Sequence, residues 1–316
     1  MVNSAEIQLS ELIKEKAFNT GFDLCGIARA RILNDREHIL NEWCSEGMNG
    51  NMNYICRDIK KRIDPGYLVP SAKSVIVAAL NYFTYKNQEA EGSPVISRYA
   101  FGVDYHNVVK EKLDQVLEHI KTLMPGCNGK SFVDSAPILE KAWALEAGLG
   151  WQGRHSILIN KKLGSFIFLG VIVIDKELAY DQPFMEDLCG ACRMCIEECP
   201  TGAINENRTV NATKCISYQT VENKEPAPDK LAPLMGGRVF GCDRCQEVCP
   251  WNKKAKQHTT PQFDMREEVR MMTADDWQNL TREKFNILFK GTPIEHRKYE
   301  RFMRNVTFVT NTQHQK

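Results

Sequence analysis

Apolar residues recur at helical spacing from the start of the chain. Ile7, Leu12, Ile13, Ala17 and Phe18 fall near one face between Ser4 and Gly21, which suit an N-cap and a C-terminal stop. The pattern returns over residues 104–123, capped by Asp104 and stopped near Pro125-Gly126, and again over 137–147, with Pro137 in the first turn and Gly148 after it. Residues 75–80, 156–160 and 165–174 read as strands, and Lys161-Lys162-Leu163-Gly164 joins the last two over a hairpin-length connection. From about residue 250 the chain turns polar and helical, with Thr273 capping 274–280 and Thr281 preceding 282–289. No internal repeat or long low-complexity tract interrupts this order, and residues 311–316 are expected to fray.

Composition changes the picture only at its edges. The length of 316 residues suggests about two domains, and 43% hydrophobic with 26% charged residues excludes disorder as the main state. Forty-one Lys and Arg against 40 Asp and Glu leave +1, which excludes a uniformly basic nucleic-acid binder and a strongly acidic tail protein. The charge is uneven, because residues 281–316 hold eight basic and three acidic side chains. The first residues lead into a charged amphipathic pattern rather than an apolar targeting core. The longest apolar run, residues 166–174, is far short of the roughly 18–20 residues that span a bilayer. A cytoplasmic chain without membrane contact is expected, with that run as a buried strand.

The cysteines carry the chemistry. Twelve is a high number for such a chain, where thiolate ligation is expected rather than a disulfide framework. Cys25, Cys44, Cys56 and Cys127 are scattered over the first 188 residues, whereas eight fall between Cys189 and Cys249. Cys189-x2-Cys192-x2-Cys195-x3-Cys199-Pro200 is the bacterial ferredoxin run, whose fourth cysteine serves a second cluster. Cys215 and Cys242-x2-Cys245-x3-Cys249-Pro250 supply the other half. Reciprocal ligation assigns Cys189, Cys192, Cys195 and Cys249 to one [4Fe–4S] cluster and Cys199, Cys215, Cys242 and Cys245 to the other. Structural zinc is the alternative, but zinc sites do not call for the three-cysteine run ending in CysPro. The long insert 216–241 must loop out and can cover a neighbouring cofactor.

Other residues are weaker signals. Gly148-Leu149-Gly150-Trp151-Gln152-Gly153 matches GxGxxG letter by letter, yet it follows a helix and leads into a strand, the reverse of the dinucleotide-binding context. Its glycines suit a tight turn and a close backbone approach to something flat. On composition alone Asp134 is a turn or cap carboxylate, His155 a structural histidine, and Arg57 and Lys141 solvated charges.

Taken in order, Arg98-Tyr99-Ala100-x-Gly102-x-Asp104-Tyr105-His106, Asp134-Ser135-Ala136-Pro137, Glu140-Lys141, the Gly148–Ser156 stretch, Cys215-Ile216-Ser217-Tyr218 and the run from Gly241 to Asn252 resemble the epoxyqueuosine reductase family. The resemblance runs from near the N-terminus to about residue 305. It implies an α+β chain: a nitroreductase-like α/β cobalamin-binding domain at 1–180, a ferredoxin-like domain with two [4Fe–4S] clusters at 181–255, and a short helical C-terminal segment at 256–316. Lys316 comes too early for the full set of HEAT-like repeats that some members add. The implied reaction is reduction of epoxyqueuosine to queuosine at the wobble position of tRNA, using cobalamin (vitamin B12) and an unidentified electron donor, by a monomer.

The same resemblance implies site residues. Asp134 matches the family's proposed proton donor, and desolvation against a corrin is expected to raise its pKa. Arg57, Lys141, His155 and Ser156 match positions around the corrin, as do Ser97 and Arg98; Ser217, Cys242, Asp243, Arg244 and Cys245 are further expected contacts. The basic tail, with His296, Arg297, Lys298, Arg301 and Arg304, is the expected tRNA contact: Arg297, Arg301 and Arg304 share one face if helical. Phosphate contact there competes with a solvated helix face. The near-neutral charge favours a small footprint such as an anticodon arm. A corrinoid reductase of a small activated substrate, or an electron-transfer protein without its own activity, are the alternatives; tRNA binding separates the first and corrin binding the second.

Overall fold

The computed structural model describes residues 4–313. Its strands are β1 (Leu24–Arg29), β2 (Ser74–Asn81), β3 (Val95–Ile96), β4 (Gly129–Phe132), β5 (Trp151–Gln152), β6 (Leu158–Ile159), β7 (Ile167–Ile174) and β8 (Arg238–Phe240). A four-stranded antiparallel sheet in the order β1-β2-β7-β4 forms the centre of the first half. β2 is buried along its whole length. The pleat sends Ile76, Ala78 and Leu80 of β2, with Phe168, Ile172 and Ile174 of β7, against the helices Ser4–Asn19 and Tyr105–Leu123. Val75, Val77 and Ala79, with Val171 and Val173, face Leu33, Ile63 and Trp143 on the other side. A sheet covered on both faces needs apolar residues at every position, and hence the unbroken run at 166–174.

The helix over 104–123 forms as expected, with the Asp104 side chain accepting from the His106 N–H as its cap. The helix expected from Pro137 begins only at Glu140, because Asp134 adopts φ +44° and the chain keeps turning through Ala136 and Ile138. The strand expected over 156–160 shrinks to β6 and pairs with β5 instead of β7. Ser156, at φ +67°, breaks its extended start, and the turn 161–164 closes only on an Asn160–Gly164 bridge. The close approach expected of the glycine-rich turn is to the protein itself: a Cβ on Gly150 would lie 2.1 Å from the Ile159 carbonyl oxygen.

The cysteine-rich segment does not stand apart. β8 pairs in parallel with β3, and one hydrophobic cluster joins Ile96 and Phe101 to Ile216, Val239 and Phe240, and these to Trp277, Phe285 and Phe302. Hydrophobic packing therefore crosses the expected boundaries near residues 180 and 255. The C-terminal part is polar only on its outside. Its short helices start where expected, with a Thr273–Asp276 capping box and a Thr281 cap. A disulfide joins Cys44 and Cys56, tying the helices Asn34–Ser45 and Asn53–Arg57; the other ten cysteines are free thiols. Among the described residues no helix is long and apolar enough to cross a membrane.

The basic tail turns inward. In the helix Lys298–Gln313, Nη2 of Arg301 donates to the carbonyls of Val221, Glu222 and Asn223 at 3.2, 3.4 and 2.9 Å. Arg304 donates to the Lys224 and Asn223 carbonyls, and Arg297 to the Glu222 carboxylate at 2.7 Å. Several of these carbonyls are the orphan acceptors at the end of the helix Ile216–Val221, so the arginine face expected to meet tRNA serves as a C-cap for another helix. Of the five residues expected there, Lys298 and His296 are exposed, and His296 is bonded to Asp104. The helix continues to Gln313; of the residues expected to fray, 314–316 lie outside the described residues. Arg301→Met keeps the aliphatic stem but leaves the Val221 and Glu222 carbonyls without this donor, while the Asn223 carbonyl keeps Arg304. It should cost about 2 kcal/mol in denaturant unfolding and speed amide exchange over residues 216–224.

Candidate active site

The fold sorts the eight clustered cysteines into two sets. Cys195 feels the charges of Cys249, Cys189 and Cys192, whereas Cys245 feels first Cys242 and Cys215 and then Cys195 across the sets, and Cys215 feels Cys199. Reciprocal ligation would use the same two groups. Burial, with the neighbouring thiols, pushes Cys195 up to about 11; burial likewise pushes Cys242 to about 11. Thiols held this way ionise readily only beside a strong positive charge, which suits iron–sulfur ligation.

The second set, Cys199, Cys215, Cys242 and Cys245, lines a cavity of about 700 Å³; none of Cys189, Cys192, Cys195 and Cys249 does. Ser97, Lys141, His155, Ser156, Ser217, Asp243 and Arg244 line it as expected, and so does Asp134. Ser217 is placed there by the helix Ile216–Val221, so the insert 216–241 does cover this space. Two expected residues do not line it. Arg57 is exposed elsewhere, and Arg62 stands in the lining, its guanidinium donating to the Tyr54 and Ile55 carbonyls. Arg98 is taken up by Asp243 and Glu247, with Nη1 2.8 Å from the Glu247 carboxylate.

Asp243 locks the cysteine segment to the first half of the chain. Its buried carboxylate accepts from the Ser97 hydroxyl and, at 2.8 Å, from the Arg98 N–H. Burial raises its pKa, and these donors oppose the rise. His155 is another buried group: its Nδ1 accepts from the Ile157 N–H at 3.2 Å, and its Nε2 has no hydrogen-bond partner. Burial and the Lys141 charge bring its pKa down to about 4, so it stays neutral. An unpartnered imidazole nitrogen in the lining fits a flat polar cofactor that brings its own hydrogen-bonding groups.

Asp134 sits at one end of a chain of polar contacts. Its Oδ2 accepts from the Tyr105 hydroxyl at 2.7 Å and lies 3.1 Å from His106 Nε2. His106 Nδ1 lies 2.7 Å from Asp104, whose other oxygen is 2.7 Å from His296 Nε2. Burial pushes the Asp134 carboxyl up, but the hydrogen bonds from His106 and Tyr105 and the charges of His106 and Lys141 outweigh it and hold the carboxyl below its usual value. Asp134 is therefore held ionised here, while the rise expected against a corrin concerns the filled cavity. Burial pulls His106 down, but the bonds to Asp104 and Asp134 carry it up to about 9. Glu140, which accepts from the Asp134 N–H, is pushed up to about 8 by burial and the Asp134 charge. At neutral pH the protons sit on His106, Tyr105 and Glu140, around an anionic Asp134. Tyr105 and His106 stood in the sequence motif, but only the fold shows that they reach a loop some thirty positions on.

The His106 imidazole should titrate near 9 by histidine NMR, and Asp104→Asn should bring it down. Its folded value lies above the unfolded value of about 6.5. The stability it contributes is therefore complete below about pH 6.5 and lost as pH rises through about 9.

Known proteins place this geometry in context. Residues 62–135 match the family model "Epoxyqueuosine reductase QueG, DUF1730", and residues 188–252 match "4Fe-4S double cluster binding domain". An epoxyqueuosine reductase of Cyclobacterium marinum is 42% identical over 96% of this chain and 97% of its own length. That of Escherichia coli is 38% identical over 95% of this chain and 80% of its own. A crystal structure of epoxyqueuosine reductase with an epoxyqueuosine-modified tRNA-Tyr stem loop superposes with a TM-score of 0.85 at 29% identity, covering 96% of this chain and 80% of that one. A reductive dehalogenase, from work on B12-dependent dehalogenation, shares the fold at a TM-score of 0.51 and 18% identity, over 98% of this chain and 37% of that one.

Proposed function

The chain belongs to the epoxyqueuosine reductase family, and we propose that it reduces epoxyqueuosine to queuosine at the wobble position of tRNA, in the cytoplasm and as a monomer. One observation carries this reading: a single cavity has a cysteine set in its wall and, in the same lining, a carboxylate surrounded by proton-bearing groups. Two [4Fe–4S] clusters on the cysteine sets and a cobalamin in the cavity would supply, one at a time, the two electrons that removal of an epoxide oxygen as water requires along with two protons.

The chain's own residues divide the remaining work. Ser97, Lys141, His155, Ser156, Ser217 and the 242–245 turn would hold the corrin. The set Cys189, Cys192, Cys195 and Cys249 lies off the cavity, suited to receive electrons from an external donor of unidentified kind. Asp134 delivers the proton. Loss of water from its carboxylate once the cavity is filled would raise the pKa and favour moving a proton to it from His106, because a neutral pair is better tolerated than an ion pair at low dielectric. The acid so formed protonates the leaving oxygen. The lining also carries Arg36, Arg62, Arg208 and Arg244, each already bonded to a protein acceptor: Asp35, the Tyr54 and Ile55 carbonyls, Asp187 and Glu198 respectively. Of the basic tail, Lys298 is kept as a tRNA phosphate contact.

Anaerobic turnover of epoxyqueuosine-containing tRNA by the loaded chain tests the reading, and no turnover in the presence of bound cobalamin and tRNA would remove it. Asp134→Asn should lose about 10²–10⁴-fold in rate while keeping corrin and tRNA affinity. Glu140→Gln, which retains an acceptor for the Asp134 N–H, should keep most of the rate; the reverse order would move the proton to Glu140. The parent rate should fall as pH rises through about 9, where His106 loses its proton.

A further inference from the structure

The glycine-rich turn at 148–153 has no part in dinucleotide binding, yet it is built tightly. Gly150 lets β5 lie directly on the Ile159 carbonyl, which fixes the next residue, Trp151, at 2% exposure. The indole packs among Cys249, Ile159, Phe184, Leu188 and Trp251, with the Trp251 ring edge-on at 4.8 Å. Its Nε1 lies 3.4 Å from the Sγ of Cys189 and donates to it. Among the described residues it is the side-chain N–H that bonds to a sulfur of either set; the other N–H donors are backbone groups, among them those of Trp251 and Asn252 to Cys249 in the first set and of Ala203 to Cys199, 3.4 Å away, in the second.

We propose that Trp151 sets the reduction potential of the cluster held by Cys189, Cys192, Cys195 and Cys249, by donating a hydrogen bond to the Cys189 sulfur. This rests on the cluster reading above. Reduction adds one negative charge to the cluster and its thiolates, and a donor aimed at a ligand sulfur stabilises the more negative state. The apolar wall around Cys189 and Cys249 acts the other way, because low dielectric disfavours added charge. The indole N–H offsets that wall while keeping water out, which a hydroxyl or a bound water in its place would not do. Trp151 is thus a positioning residue for electron entry, acting through Cys189 without touching substrate.

The test uses the full chain, reconstituted anaerobically with iron and sulfide and titrated against potential by electron spin resonance. In Trp151→Phe one cluster should become about tenfold harder to reduce, about 59 mV for one electron, with the other unmoved. Trp251→Phe is the control: its indole donates to the Leu188 carbonyl, so no comparable shift is expected. A fully loaded Trp151→Phe with both potentials unchanged overturns the proposal. A second measurement does not depend on the variant folding. In parent protein grown with indole-15N tryptophan, pulsed hyperfine spectroscopy of the reduced chain should show 15N coupling to one cluster. Two loaded clusters without that coupling overturn the proposal alone, whereas a chain that takes up no iron and sulfide overturns the cluster reading and this proposal with it.

Discussion

Asp243 stands between Cys242 and Cys245 and draws its donors from Ser97 and Arg98, almost 150 positions earlier. That buried carboxylate is the constraint on which the cavity depends. Removing its partners would leave a charge stranded at low dielectric, a cost of several kcal/mol, so the two halves of the chain hold one relative position or lose the contact outright. The neighbouring β3–β8 pair and the close fit of Gly241 against Ser97 and Tyr99 follow the same seam. With the seam closed, Cys242 and Cys245 join Cys199 and Cys215 in the lining that also holds Asp134.

What the sequence revealed was what is local or strictly spaced. Both cysteine sets, the Asp104-capped helix and the two central strands are legible because spacing, a cap or an apolar run states them within a few residues. The edge strands β1 and β4 are not, since Leu24–Arg29 and Gly129–Phe132 carry little alternation and become strands by pairing with β2 and β7. The start of the helix at Glu140 was misplaced because a left-handed Asp134 leaves no mark in composition. Most of the corrin contacts that the family motifs marked do line the cavity, but the motifs did not show that Arg57 stands outside it while Arg62 lines it.

The largest departures concern charge, because charged groups are read by their partners and partners are long-range. Nothing near Asp134 in the sequence shows that Tyr105 and His106, packed on the sheet by the stacking of Tyr105 on Phe168, hold its carboxylate ionised before the cavity is filled. The arginines of the tail looked like a face for an outside anion. Acceptors left at the end of a helix some eighty positions earlier claim them instead.

The nesting of the two cysteine sets bears on the order in which the molecule is assembled. All ligands of the second set, Cys199 to Cys245, lie inside the stretch between Cys195 and Cys249, which the first set ties together. Closing that stretch of about 54 residues costs chain entropy on the order of 3–4 kcal/mol, and a cluster that has met this cost hands the inner set a shortened search. Assembly from the outside in is therefore favoured. Breakdown runs the same way: oxygen reaching the outer cluster does more than cut a wire, because it reopens the loop and slackens the wall against which a tRNA base would have to be held.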